Sequence, residues 1–92
     1  MARYLVEVSH ENTKEACDRA VRLFMETGSH FMTHADWGCG DGVHKAWFVI
    51  DVDTREEAWR ILPPILRQAA SVIALQNYRA EDFRGVASQH GG

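Results

Sequence analysis

Ninety-two residues, 46% hydrophobic and 25% charged, describe one compact domain with an adequate core. No apolar run reaches the ~20 residues of a membrane span, and the net charge of −3 with scattered Lys and Arg leaves no electrostatic footprint for nucleic acid. Cys17 and Cys39 are too few for a disulfide framework and are expected as free thiols; the opening MARYLVEVSHE lacks an apolar signal core, so a cytoplasmic location is expected.

Residues 3–9 alternate Tyr4, Val6 and Val8 against Arg3, Leu5, Glu7 and Ser9, the pattern of a half-buried strand. Asn12 or Thr13 then opens a helix, Asn12 and Glu15 having capping-box spacing. Ala16, Cys17, Ala20, Val21, Leu23 and Phe24 form its apolar stripe, and Gly28 supplies a stop. On that stripe Cys17 reads as a small buried hydrophobe.

Residues 30–52, HFMTHADWGCGDGVHKAWFVIDV, read as one β-hairpin, because an Asp-Gly pair separates two alternating runs. With Asp41 and Gly42 at the centre of a type I′ turn, Cys39 opposes His44, Asp36 opposes Trp47 and His34 opposes Val49. Phe31, Thr33, Ala35, Trp37 and Cys39 then share a core face with His44, Ala46, Phe48, Ile50 and Val52. His30, Met32, His34 and Asp36 point the other way, beside Val43, Lys45, Trp47, Val49 and Asp51. The glycines at 38, 40 and 42 are turn residues; no helix follows them, so they are not a phosphate cradle.

Thr54 and Glu57 cap a second helix with Ala58, Ile61 and Leu62 inward, which Pro63 and Pro64 interrupt before one further turn over 65–69. Residues 71–78, SVIALQNY, read as the last strand. The domain is thus expected over residues 1–83, with a flexible tail over 84–92 that has little to bury. The order βαββαβ predicts an α+β, ferredoxin-like fold: four antiparallel strands, two helices on one face, and the first and third strands central. The opposite face must meet water, a ligand or a second subunit, and Trp47 between Val43 and Val49 favours the latter two.

This element order, Trp37, the FVIDV run at 48–52, the TREEA that follows at 54–58, and Leu62-Pro63 ahead of the last strand resemble the muconolactone isomerase-like group of dimeric α+β barrel proteins. The resemblance implies a homodimer with two sheets packed face to face, enclosing pockets for small organic molecules. The superfamily hosts several chemistries, so it selects no single reaction. The extended C-terminus of the isomerase is reduced here to a short tail.

Three constellations carry possible chemistry. Glu7, His34, Asp36, Lys45 and Trp47 share the helix-free face, where His34 would be the base that moves a proton on carbon. Asp36 would orient it, Lys45 would hold a substrate carboxylate or enolate, and Trp47 would form an apolar wall, giving cofactor-independent acid–base chemistry on a small organic acid or lactone. Against this stands the reading of these residues as solvated or interface side chains, an assembly module without a ligand. The second constellation is a zinc or copper ion on Cys39 and His44, completed by His10 or a second subunit, in a metal-binding or metal-sensing dimer. On a strand His30 and His34 lie roughly 13 Å apart and cannot share an ion. The third is a thiolate–imidazolium pair between Cys39 and His44, with the thiol pKa lowered.

Overall fold

A computed structural model describes residues 1–27 and 29–83. The strands form where side chains alternate. Strand β1 (Ala2–Ser9) buries Tyr4, Val6 and Val8, and the strand at Lys45–Val52 buries Ala46, Phe48 and Ile50. These two pair antiparallel along their whole length, Val6 opposite Phe48 and Glu7 opposite Trp47. In chain order the elements are β1, α1 (Lys14–Thr27), α2 (His30–Thr33), β2 (Asp36–Trp37), β3 (Lys45–Val52), α3 (Arg55–Ile61), α4 (Pro64–Arg67) and β4 (Ala70–Leu75), with short 3₁₀ turns at Cys39–Asp41 and Ala80–Phe83. The sheet order is β2-β3-β1-β4, so β1 and β3 are central. The architecture is α+β with a four-stranded antiparallel sheet, and it is compatible with a ferredoxin-like fold.

Helix α1 starts at Thr13, whose Oγ1 accepts the Ala16 N–H at 3.0 Å, satisfying one of the donors a helix start leaves free. Thr54 does the same for α3 through the Glu57 N–H at 3.2 Å, while Glu57 reaches back to the Asp53 N–H. Pro63 ends α3, because its ring forbids helical geometry at Leu62, which turns extended. One face of the sheet meets Phe24 of α1, Met32 of α2, Ala58 of α3 and Leu62 in a single apolar cluster. The stop expected at Gly28 and the tail expected over 84–92 lie outside the described residues.

Three expectations are corrected. The run 30–39 is not a strand: only Asp36–Trp37 pairs with β3, and His30–Thr33 makes a helical turn. Met32 of that turn joins the core, and Phe31 and Ala35 pack against it, so Met32, placed by strand alternation on the outer face, is fully buried. His34 caps the turn instead of pairing with Val49. The second correction is the hairpin connection. Gly38 O accepts the Val43 N–H and Cys39 O accepts the Gly42 N–H, the paired bonds of a Schellman closure around a 3₁₀ turn, with Gly42 at φ 80°. The type I′ turn is absent, yet the expected register of Asp36 against Trp47 is kept. The third concerns the last strand, which stops at Leu75 rather than at residue 78.

Candidate functional site

The helix-free face of the sheet is built in cross-strand rows. Asp36, Trp47, Glu7 and Ser71 stand in one row across all four strands, and Val49, Leu5 and Ile73 stand in the next. The third row is Asp51, Arg3 and Leu75, where Arg3 Nε meets Asp51 Oδ1 at 3.2 Å beside a cavity of about 540 Å³. Val49 and Ile73 are 48% and 45% exposed, so an apolar band crosses a face that nothing covers among the described residues.

In the polar row Glu7 is the hub. Its Oε1 accepts the Trp47 Nε1–H at 2.9 Å, and its Oε2 lies 3.5 Å from Lys45 Nζ. The indole therefore lies over the edge of the sheet, against Gly38. A Cβ at Gly38 would stand 2.8 Å from the Val43 carbonyl oxygen and 2.9 Å from two indole carbons. Gly38→Ala is expected to cost about 1–3 kcal/mol in urea unfolding, because the carbonyl is part of the turn and cannot retreat. An unchanged midpoint would show that the turn carbonyl gives way as well as the indole.

The sequence-predicted members of this face divide. Glu7, Lys45 and Trp47 come together, and Asp36 stands opposite Trp47 as expected. His34 sits at the end of α2, exposed, where its Nδ1 lies 2.8 Å from the His30 carbonyl and its ring 4.4 Å from that of His30. A carbonyl only accepts, so Nδ1 carries the proton and Nε2 is the basic nitrogen.

A second cluster lies at the end of β1 and β3 where α1 begins. The register Ser9 opposite Lys45 continues into a bond from the His10 N–H to His44 O at 3.1 Å. This sets two histidines side by side at the ends of the two central strands, and the 3₁₀ turn brings Cys39 to them. One ligand atom each from His10, Cys39 and His44 lie within 4.8 Å of one another. His10 Nε2 is 3.0 Å from Cys39 Sγ, and His44 Nδ1 is buried without a hydrogen-bond partner among the described residues. Cys39 and Cys17 are both free thiols lining one cleft.

Comparison of the chain with protein-family profiles, curated proteins and solved structures found no match. The chemistry must be argued from these residues alone. The thiolate–imidazolium pair expected of Cys39 and His44 is not formed. His10, not His44, touches the sulfur, and burial, then the neighbouring Cys17 thiol, push Cys39 up to about 11. Cys39 is therefore a protonated thiol at neutral pH and a poor nucleophile. Cys17, expected as a packed hydrophobe, is half-buried beside it. The sequence signal for His10 was available only through the strand register, since it is 29 residues from Cys39 along the chain.

Proposed function

We propose that the protein is a ferredoxin-like domain that pairs with a second copy of itself through the helix-free face, in the manner of a dimeric α+β barrel. The niche so enclosed takes a small organic acid or lactone. The observation that carries this reading is the apolar band of Val49, Leu5 and Ile73, exposed among the described residues and set against the Glu7–Trp47–Lys45 cluster. An apolar band on a sheet is the kind of surface a partner buries, and a few fixed polar groups beside it are what orients a small ligand. Lys45 is the cation for a carboxylate or for a developing enolate, Trp47 is the flat wall, and Glu7 holds both in place. Within an acid–base reaction His34, exposed at the end of α2 and two residues before Asp36, is the base through Nε2.

The experiment combines light scattering with ligand-dependent melting, using short carboxylic acids and five-membered lactones as probes. The expected result is a dimer whose melting temperature rises with one of these probes. Lys45→Met should keep the dimer and lose that rise; His34→Ala should keep both and lose any turnover. A monomer at all concentrations contradicts the pairing, and a Lys45→Met variant that binds as before removes Lys45 from the site.

A further inference from the structure

We propose that His10, Cys39 and His44 bind one borderline-to-soft divalent transition-metal ion, zinc foremost, at the end of the two central strands. The inference is independent of the pairing through the sheet, since it uses the cluster beside α1.

The donor set comes first. Two imidazoles and one thiol are ligands for zinc, copper or cobalt and are poor ligands for magnesium or calcium, which take oxygen. Geometry comes next. Zinc bonds of about 2.0–2.1 Å to nitrogen and about 2.3 Å to sulfur place tetrahedral ligand atoms roughly 3.4–3.6 Å apart. The three ligand atoms already lie within 4.8 Å, with His10 Nε2 and Cys39 Sγ at 3.0 Å, so side-chain rotation closes the set without moving a strand.

The hydrogen bonds point the same way. His10 Nδ1 is 2.9 Å from the Glu11 carbonyl, which can only accept, so Nδ1 carries the proton and the Nε2 lone pair faces Cys39. An imidazole tied through one nitrogen to a carbonyl, with the other lone pair free, is the oriented state of a metal-bound histidine. At present the Cys39 S–H is the donor to that lone pair. His44 Nδ1 supplies the independent observation: it is a buried nitrogen with no hydrogen-bond partner among the described residues, a costly state unless something fills it. A metal ion meets both needs at once. It takes the place of the thiol proton, which leaves to water as the Cys39 sulfur–metal bond forms, and it accepts the lone pair of His44.

Three protein ligands leave a fourth position. A cleft of about 390 Å³, lined by Asn12, Thr13, Lys14, Cys17, Asp18 and Gly40, borders Cys39 and His44. The group that closes within 4.8 Å does not include Cys17. The fourth position therefore faces the cleft and takes water or a small exchangeable ligand, as in zinc sites that do chemistry.

The test is anaerobic titration of the reduced full chain with cobalt(II), followed by zinc(II). Expected are one equivalent of cobalt, visible bands of a four-coordinate ion, a sulfur-to-cobalt charge-transfer band, and loss of the colour on adding zinc. Cys39→Ser should abolish the charge-transfer band, and His10→Ala and His44→Ala should each weaken zinc binding roughly 100-fold or more, beyond the 10–100-fold typical of outer-shell changes. Cys17→Ser should keep both stoichiometry and band; loss of the band there would move the sulfur donor to Cys17 and overturn the assignment. Nitrogen NMR of the histidine rings in the unmodified protein needs no variant to fold. On adding zinc, His10 and His44 should shift to metal-bound values. Shifts at His30 and His34 instead, or wild-type protein that takes up neither metal, would defeat the proposal.

Discussion

Val49→Lys together with Ile73→Lys is expected to turn the proposed dimer into a monomer. Both side chains sit in the central row of the helix-free face, flanking Leu5, and are about half exposed in the single chain. In a two-fold interface every substitution occurs twice, so four ammonium groups would have to lose water against an apolar surface and against one another. A penalty of about 4 kcal/mol or more corresponds to at least a thousandfold rise in the dissociation constant. Light scattering over a wide concentration range reads this directly. The fold itself should survive, because neither side chain touches the core cluster and circular dichroism at low concentration should match the parent. A variant that stays dimeric would place the interface elsewhere, on the helices or the sheet edges. The niche around Glu7 and Lys45 would then be a wet surface.

The second large effect is on stability. Phe24 of α1 is fully buried, with its ring 4.8 Å from that of Trp37 and 6.3 Å from that of Phe48, both edge-on. Phe24→Ala removes the ring that joins helix to sheet and leaves a cavity between elements that cannot close up, at a cost of about 3–5 kcal/mol. Domains of this size hold roughly 5–15 kcal/mol in all, so the variant should melt on the order of 15–30 °C lower. A loss under about 1 kcal/mol in urea unfolding would mean that the helix is held by other contacts. The effect reaches the histidine cluster as well, because Trp37 lies 6.2 Å from the His10 ring and is itself backed by Phe24. Affinity at the proposed zinc site should fall with stability in this variant, although its ligands are intact.

What could be read from the chain, and what could not, follows the range of the forces involved. The alternation of Tyr4, Val6 and Val8, the stripe ending in Phe24 and the Thr54 cap are local patterns, and each appears in the structure where it was expected. The register of Asp36 on Trp47 was legible because two strands so close in sequence can pair in few ways. The run 31–35 was misread because FMTHA satisfies alternation and a helical turn equally; burial of Met32 beneath the sheet settled it in favour of the turn. A tertiary contact of one side chain overrode a five-residue pattern. Glu7, Lys45 and Trp47 were assigned to one face from parity alone, and their hydrogen bonds now give that face a centre.

By itself the sequence determined the α+β class, the central placement of the first and third strands, and which side chains of those two strands face away from the helices. Those properties depend on periodicity and chirality, which act along the chain. Only the tertiary structure decided that His10 meets Cys39 and His44, that the Trp47 indole lies against Gly38, and that His34 ends a helical turn. These are contacts between residues brought together by strand register and core packing. A shift of one residue in either would have separated them while leaving every local pattern unchanged.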